Sequence, residues 1–341
     1  MSKDQYLPAK VNVQLAVSKE QVHENIKENL KTIPSWYSKL FYPNGYEAII
    51  ISAGPSMEKY VTELNLKARM ENGEREFVVL CVKHALPRLV ELGVLPDFCV
   101  LLDGRPFEGT STHGIPRNQL FTIIPEKTIF FVASMSHPGY AKHLLNHGAR
   151  VLGWHTQVQG IDEFPIKEPI INGGTSSGTR CIALAHAMGI RKMTLVGFDS
   201  CIKDPTPEDL KKKDDKGRPK YLPVDMPTQP TFTKEQQEGI GRLTESYAKE
   251  GLVYSSTLAK RFYTTGELLA QSQDFEQIFK AQAFDIEFKV MDDGLCNHMW
   301  KNMQNVAKRS YNFVEYFNSA VPKKDPKPLK KRMLSKPSKQ T

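Results

Sequence analysis

The sequence predicts an α/β fold with a mostly parallel, doubly wound sheet, and two observations carry this prediction. Short apolar runs recur between residues 48 and 196, and helical patterns separate many of them. Runs that are apolar throughout, rather than alternating, are typical of parallel strands covered on both faces. Two of the runs end in glycine and hydroxyl residues just before a helical pattern. We therefore expect a ligand site beyond the carboxyl ends of the strands.

The elements follow in a regular order. An amphipathic helix comes first, opened by Ser18 and ended before Pro34. Predicted strands cover 48–52, 77–82, 98–102, 129–133, 151–154 and 193–196, with a shorter run at 170–172. Predicted helices among them cover 56–67, 86–92, 139–147 and 176–188. Further helical patterns lie at 234–250, 264–283 and 295–318, with a short strand end at 254–257.

This order divides the chain into four predicted segments. Residues 1–46 would form a helical preface, and 47–260 a nucleotide-binding domain. Within that domain, the proline- and lysine-rich stretch 200–233 would be a lid or insertion, since a connection this long usually has a function. Residues 261–320 would add a helical region, and 321–341 a disordered basic tail.

Composition narrows the class of protein. The chain has 341 residues, of which 40% are hydrophobic and 25% charged, as in ordinary globular proteins. It contains no apolar run long enough for a membrane helix and no apolar segment near Met1 of the kind that directs secretion. The five cysteines are scattered without C-x-x-C spacing, which predicts a reducing compartment and no zinc site. We therefore expect a cytoplasmic protein.

The net charge of +8 lies mainly in the tail. Residues 323–341 contain seven lysines and one arginine against one aspartate, which leaves the rest of the chain near neutral. A nucleic-acid-binding core is therefore not indicated. The tail itself is either a solubilising extension or a contact for nucleic acid or an acidic partner.

The first glycine-bearing turn follows the run at 48–52. Ser52, Gly54, Pro55 and Ser56 would let the backbone approach a phosphate at the start of a helix. The turn has neither the P-loop nor the G-x-G-x-x-G pattern. The alternative is a plain strand–turn–helix connection without a ligand.

The second turn presents a longer series of small residues at a helix start. It consists of Gly173, Gly174, Thr175, Ser176 and Ser177. Several N–H groups and hydroxyls would be available there for a nucleotide. The alternative is a glycine-rich connection in which one serine caps the helix. If both turns bind one ligand, they converge in space on a single phosphate.

Two carboxylates also end predicted strands. Asp103 and Asp199 would bind Mg²⁺, a ribose hydroxyl or an acceptor hydroxyl, and Arg105 would meet a phosphate. The alternatives are that Asp103 starts a turn with Gly104 and that Asp199 caps the insert at 200–233. His137 and His155 also follow apolar runs and are candidate bases, although an isolated histidine is more often structural.

The order of these motifs resembles that of one family. Four motifs carry the likeness: S-A-G-P-S at 52–56, G-V-L-P-D with a further aspartate at 93–103, N-G-G-T-S-S-G at 172–178 and G-F-D at 197–199. In this order they resemble the 6-hydroxymethylpterin diphosphokinase MptE-like family, which includes the Maf motility-accessory glycosyltransferases. The likeness covers about residues 45–260 and extends more loosely to bacterial sialyltransferases that use CMP-sugars. It implies a Rossmann-like fold in which the two turns hold a nucleotide and Asp103 and Asp199 lie beside the reacting end.

The chain departs from these patterns at three positions. Ala53 stands where the sialyltransferases have asparagine, and no histidine lies between Asp199 and Asn297, where they place a catalytic one. Lys83 occupies a strand end that is acidic in the pterin diphosphokinases. A lysine there would disturb a metal site made of paired carboxylates.

Three functions follow as hypotheses. The first is a glycosyltransferase that uses a nucleotide-sugar donor, with a nonulosonic acid as one candidate sugar and a protein or glycan hydroxyl as acceptor. The second is a diphosphokinase that uses ATP and Mg²⁺. The third is a nucleotide-binding interaction protein without catalytic activity.

Overall fold

A computed structural model describes residues 16–73, 76–110, 115–214, 217–227, 259–282, 285–301 and 303. The chain divides into two compact units, Met1–Lys301 and Asn302–Thr341, and the sheet belongs to the first. The elements predicted at 234–250 and 254–257, the part of the predicted 295–318 helix beyond residue 303, and the basic tail lie outside the described residues.

The described helices are α1 (Lys19–Thr32), α2 (Met57–Glu63), α3 (Leu66–Glu71), α4 (Leu86–Glu91), α5 (Pro138–Asn146), α6 (Ser177–Ala187), α7 (Pro207–Lys211) and α8 (Gly266–Gln282). The strands are β1 (Asn44–Ile51), β2 (Phe77–Val82), β3 (Phe98–Leu101), β4 (Ile129–Ala133), β5 (Arg150–Thr156), β6 (Ile170–Ile171), β7 (Ile190–Val196), β8 (Leu222–Pro227), β9 (Ala259–Thr264) and β10 (Glu287–Met291). Short 3₁₀ helices cover Arg117–Phe121 and Ile161–Glu163. A last helix covers 295–301.

Eight strands form one sheet in the order β10-β7-β1-β2-β3-β4-β5-β6, and every pair in it is parallel. Beta-strands alternating with helices in a parallel sheet define an α/β Rossmann-like fold, which confirms the predicted fold class. The strands from β1 to β6 run outward in chain order. Helix α6 then crosses back over β3, β2 and β1, so that β7 pairs with the other side of β1.

The centre of the sheet is built from aliphatic side chains. Ile49, Ile50 and Ile51 of β1 have no exposed surface, and Ile50 lies in register with Leu80 of β2 and Leu195 of β7. A strand that is flanked on both sides and covered by helices is buried on both faces, which explains the continuous apolar run at 48–51. The order of the strands reverses between β1 and β7. Ligands of such sheets bind in the crevice at this reversal, beyond the carboxyl ends.

Helix α1 contacts the loops of the sheet unit. Ser18 caps it by accepting a hydrogen bond from the Gln21 N–H, as predicted. Its buried Asn25 donates to the Gly104 and Met135 carbonyls at 3.0 and 3.1 Å. Its buried Asn29 donates to the carbonyls of Ser134 and Ser136 at 2.9 and 2.6 Å. The helix therefore holds the loops that follow β3 and β4.

Three local features differ from the sequence-based expectation. The helix predicted at 56–67 is two helices, because Asn65 adopts a left-handed conformation with φ of 49° between them. The stretch 200–233 contains α7 and β8, and β8 pairs antiparallel with β9 in a second, two-stranded sheet. Strand β10 extends the main sheet beyond residue 260, in a region for which only helices were predicted. In the described part of the chain, no helix has the length and apolar character needed to cross a membrane.

Candidate functional site

The carboxyl ends of the parallel strands form one edge of the sheet, and nearly every predicted site residue lies there. Asp199 follows β7, Ser52 to Ser56 follow β1, and Asp103 and Arg105 follow β3. His137 lies beyond β4, His155 is within the last two residues of β5, and the second turn follows β6. The alternation of strands and helices places these residues at one edge, because parallel strands all end on the same side.

A cluster of three cations surrounds Asp103, and we call it the Asp103 cluster. It consists of Asp103, Lys83, Arg105, Arg117 and Tyr140. The Arg105 guanidinium binds the carboxylate with both arms, with Nε 2.8 Å from Oδ1 and Nη2 3.0 Å from Oδ2. The Lys83 ammonium contacts Oδ2, and the Arg117 Nε lies 3.6 Å from the same oxygen. The Tyr140 hydroxyl accepts a hydrogen bond from Lys83 at 3.1 Å.

Burial makes these charges strongly coupled. Asp103, Lys83 and Arg117 are buried, whereas the Arg105 side chain is 26% exposed. Burial disfavours the ionised Asp103 carboxyl, but the hydrogen bond from Arg105 and the charge of Lys83 outweigh it, so the pKa of Asp103 is well below its usual value. Burial also lowers the pKa of Lys83, and the neighbouring Asp103 opposes this change. The carboxylate is therefore ionised at neutral pH.

The cluster contains more positive than negative charge. Three basic side chains contact a single carboxylate, and the charge of Glu267 also acts on Arg105, which leaves one more positive than negative charge when all five groups are ionised. The buried Nε of Arg117 has no hydrogen-bond partner among the described residues. Buried charges are normally paired, so an uncompensated excess next to a partly exposed arginine favours an external anion.

The donors of the first turn are occupied by Asp199. The Asp199 Oδ2 accepts hydrogen bonds from the Ser56 N–H at 3.1 Å and from the Ser56 hydroxyl at 2.8 Å. A Cβ on Gly54 would lie 2.3 Å from that oxygen and 2.4 Å from the Gly197 carbonyl, so only glycine fits. The turn thus joins β1 to β7 at the reversal of the sheet. Ser52 contributes to this joint, because its N–H donates to the Val196 carbonyl.

The donors of the second turn are occupied in the same way by Asp274 of α8. The Asp274 Oδ2 accepts from the Thr175 N–H at 2.5 Å and from the Thr175 hydroxyl at 2.6 Å. Gly174 has φ of +76°, a conformation that favours glycine. Ser176 caps α6 by accepting from the Thr179 N–H, and Ser177 is the first helical residue.

The two turns approach the same short segment, residues 198 and 199. Asp199 of this segment binds Ser56, and the ring of Phe198 lies where a Cβ on Gly178 would be 3.0 Å away. Carboxylates of the chain itself therefore hold the donors for which a shared phosphate was expected. That the turns bind a nucleotide stays a prediction, and it now requires a ligand that displaces a carboxylate.

The two candidate histidines differ in their surroundings. His155 has no exposed surface, and its ring stacks on Trp36 with centroids 4.4 Å apart. Covered in this way, His155 is placed to pack rather than to reach a substrate. His137 is only partly buried and lies beside the Asp103 cluster, since its backbone N–H donates to the Asp103 carbonyl at 2.9 Å. Its ring Nδ1 accepts the Gly139 N–H at 3.1 Å and caps α5. Burial lowers the pKa of His137, which favours the neutral imidazole.

The structure does not bring Asp103 and Asp199 together. Strands β1 and β2 lie between the strands that carry them, so the two strand ends are about 14 Å apart at the usual spacing of neighbouring strands. The oxygens of Asp103 contact cations, and those of Asp199 accept from Ser56 and from the Asp293 N–H. The pair therefore does not fit one shared Mg²⁺ ion.

Sequence reasoning missed Arg117, Asp274 and Asp292 as members of this edge. Asp292 follows β10, next to Asp199, and it has no exposed surface. Burial and the Asp199 charge raise the pKa of Asp292 to about 7. An aspartate directly after the alternating charged and apolar residues of Glu287–Met291 was the available signal for Asp292. Arg117 and Asp274 lie on helical segments, where nothing in the local sequence indicates the contact.

These features define a Rossmann-like α/β protein with a charged site at the carboxyl edge of its sheet. The chain belongs to the 6-hydroxymethylpterin diphosphokinase MptE-like family, whose model matches residues 20–205. A solved structure with a similar fold is the MAf glycosyltransferase from Magnetospirillum magneticum AMB-1, at 12% identity and a TM-score of 0.51. The match covers 87% of this chain and 43% of that protein, so this chain spans less than half of its length. No curated protein is significantly similar in sequence.

Proposed function

We propose that the protein is a transferase that moves a glycosyl group from a nucleotide-activated sugar to an acceptor hydroxyl. The observation that carries the proposal is the Asp103 cluster, with its excess of positive charge at the carboxyl edge. In such a reaction negative charge develops on the phosphate that leaves the sugar. Fixed cations in a site with little water stabilise that charge best.

Each residue of the cluster would have a distinct role. Arg105 is the partly exposed cation and would bind the donor phosphate directly. Asp103 would orient the Arg105 guanidinium through its two hydrogen bonds. The buried Lys83 and Arg117 would add positive charge behind it. Asp103 would thus act as a positioning residue and not as a base.

His137 is the best-placed base for the acceptor hydroxyl. It adjoins the cluster, and its Nδ1 accepts the Gly139 N–H at 3.1 Å as the cap of α5, so the neutral ring would have to give up this cap to take a proton at Nδ1. The proton of the acceptor hydroxyl would pass to the ring as the oxygen attacks the sugar carbon. This assignment replaces the catalytic roles expected for His155, which is covered by Trp36, and for Asp199, which binds Ser56.

Donor screening tests the proposal. The full chain is incubated with CMP-, UDP-, GDP- and ADP-sugars, and release of the free nucleotide is followed by chromatography. We expect one donor class to be consumed, and the Arg105→Met variant to lose at least tenfold in kcat/KM. Arg88→Met is the matched control, because Arg88 binds Glu58 and Glu91 on the surface. Turnover in which Arg105→Met equals the wild type would refute the role of the cluster.

A diphosphokinase is the second candidate, because the name of the family describes that activity. The same assay separates the two, since a diphosphokinase releases AMP from ATP in the presence of Mg²⁺ and a pterin alcohol. The position of Lys83 argues for the glycosyl donor, because its ammonium takes the Asp103 oxygen that a metal would need. AMP release without sugar transfer would select the diphosphokinase. Binding without either reaction would select a nucleotide-binding interaction protein.

A further inference from the structure

Two histidines lie one turn apart at the end of α5. His143 and His147 are four residues apart, a spacing that places both side chains on the same face of a helix. Their ring centroids are 4.3 Å apart, with 38° between the ring planes. Helix α5 begins after the carboxyl end of β4 and ends just before β5, so its last turn lies at the opposite end of the sheet from the Asp103 cluster. The proposed transfer reaction uses neither histidine.

Each of these rings has a nitrogen that can bind a ligand. The Nδ1 of His147 lies 2.8 Å from the His143 carbonyl. A carbonyl only accepts hydrogen bonds, so this Nδ1 carries the proton and the lone pair of the neutral ring is on Nε2. The buried Nε2 of His143 has no hydrogen-bond partner among the described residues, although the Phe121 backbone is hydrogen-bonded to the ring. An imidazole whose other nitrogen donates to a carbonyl is the usual arrangement of a metal-binding histidine.

Both rings line an open cavity of about 400 Å³ between α5 and the 3₁₀ helix Arg117–Phe121. The side of this helix supplies polar side chains to the cavity, namely Asn118, Gln119 and, just after it, Thr122. Their amide and hydroxyl oxygens are neutral groups with lone pairs. The last carbonyls of α5 add a partial negative charge, which favours a cation at this end of the helix.

The chemistry of these groups selects a class of ion. In the part of the chain that the structure describes, no group of three or more His, Cys, Asp or Glu side chains is placed to hold a metal ion. A metal site here therefore consists of two imidazoles, neutral oxygens and water. Imidazole suits Zn²⁺, Ni²⁺ and Cu²⁺, whereas Mg²⁺ and Ca²⁺ prefer carboxylate oxygens. Two nitrogens on one tetrahedral Zn²⁺ ion lie about 3.3 Å apart, which rings at the observed separation can reach.

We propose that His143 and His147 bind one divalent transition-metal ion of the Zn²⁺ type, and that this ion joins α5 to the 3₁₀ helix Arg117–Phe121. The Nε2 atoms of both rings would be ligands, and water and the side-chain oxygens across the cavity would complete the coordination. The joined helix begins with Arg117, whose Nε lies 3.6 Å from the Asp103 carboxylate. The ion would therefore restrain one side chain of the Asp103 cluster without touching the cluster. The metal site does not depend on the proposed function.

The test measures Zn²⁺ binding to the full chain by isothermal titration calorimetry. All five cysteines are buried, so thiols of the folded chain do not compete for the ion. His147 is exposed, and we expect His147→Gln to fold normally. This variant should bind Zn²⁺ at least about tenfold more weakly than the wild type, because even the outer partners of metal ligands are worth that much. His147→Cys should retain binding, because a thiolate is also a zinc ligand.

Two further variants separate this site from incidental binding to histidine. His186→Gln is the matched control, because His186 also lies near the end of a helix and contacts a carboxylate, Asp285, but has no second histidine beside it. It should leave the Zn²⁺ affinity of the wild type unchanged. His143→Gln should weaken binding as His147→Gln does, and circular dichroism checks its fold because the ring packs against Phe107. Equal Zn²⁺ affinity in the wild type and His147→Gln would overturn the site, as would equally tight binding of Mg²⁺ in place of Zn²⁺.

Hydrogen exchange tests the connection between the two helices. Addition of Zn²⁺ should slow exchange of the amides at 117–122 in the wild type and in His186→Gln, but not in His147→Gln. Zn²⁺ binding that leaves this exchange unchanged would overturn the proposed connection to the 3₁₀ helix. Both measurements are made without a sugar donor. A protein that binds Zn²⁺ as expected but transfers no sugar would retain the metal site and lose the proposed function, and sugar transfer without Zn²⁺ binding would do the reverse.

Discussion

At the scale of single residues, buried carboxylates organise the carboxyl edge of the sheet. Asp103 balances part of a threefold positive charge, whereas Asp292 lies beside another carboxylate. The two aspartates therefore respond to their surroundings in opposite directions. The pKa of Asp103 is lowered, and that of Asp292 is raised to about 7. Each direction has a consequence for stability that can be measured.

Replacing Asp103 should destabilise the protein in a way that depends on pH. Asp103→Asn leaves Lys83, Arg105 and Arg117 without their carboxylate, and the loss of one partner of a buried pair costs about 3 kcal/mol. Because the pKa is lowered by folding, this contribution is complete above about pH 4, the unfolded value. It fades as the pH falls further. Urea unfolding of the wild type and the variant at pH 7 and at pH 3 measures the loss of unfolding free energy at each pH. Equal losses at the two pH values would contradict the prediction.

Asp292 should show the opposite dependence. Its pKa of about 7 means that the folded state keeps a proton between about pH 4 and pH 7 that the unfolded state has released. Stability therefore falls as the pH rises through this window and is constant above it. The groups acting on Asp292 are Asp199 and Asp293, with hydrogen bonds from Gly294 and Asn297.

The Asp292→Asn substitution removes this fall in stability with rising pH. Relative to the wild type, the variant should gain about 2 to 4 kcal/mol in free energy of unfolding between pH 4.5 and pH 8. Denaturant titrations of both proteins across this range provide the measurement. A difference that does not change with pH would show that Asp292 is ionised throughout.

At the scale of elements, helix α1 holds the loops that carry the site. Its amphipathic pattern and Ser18 cap were predictable, because both follow from local spacing. Its buried asparagines were not, since their partners lie 79 to 110 residues away in the chain. The helix reaches the loops after β3 and β4, which carry Asp103 and His137. It therefore bears on the site without containing any of the site residues.

Removing these amides should loosen both loops. Asn25→Ala and Asn29→Ala each break two hydrogen bonds to buried carbonyls and should each cost about 1 to 3 kcal/mol. Hydrogen exchange of the amides at 103–105 and 134–137 should become faster. Lys27→Ala on the exposed side of α1 should leave exchange unchanged. Unaltered protection in both asparagine variants would show that α1 does not hold the loops.

At the scale of the whole molecule, the sheet extends beyond the family match. The match ends at residue 205, whereas β10 pairs with β7 from residues 287 to 291. Phe288 and Val290 of β10 are buried. Helix α8 supplies Asp274, which holds the second turn. Much of one side of the molecule therefore comes from residues that no motif identified.

Truncation tests how far the folded unit reaches. A chain that ends at residue 260 loses β10 and α8 and exposes the edge of β7, so we expect it to aggregate or to unfold without cooperativity. A chain that ends at residue 301 keeps every described strand, and we expect cooperative thermal unfolding. Circular dichroism melting curves compare the two. Cooperative unfolding of the shorter chain would contradict the structural importance of β10.

The sequence alone determined the fold class and the edge of the sheet on which the polar residues gather. Apolar runs, helix caps and glycine turns are local signals, and the direction of parallel strands then places all their ends on one side. Only the tertiary structure decided which charges meet. Strand order sets Asp103 among Lys83, Arg105 and Arg117, with two strands between it and Asp199. Packing also brings Asp274 into contact with Thr175 of the second turn, 99 residues away in the chain. Contacts between remote elements depend on packing, which no local spacing encodes.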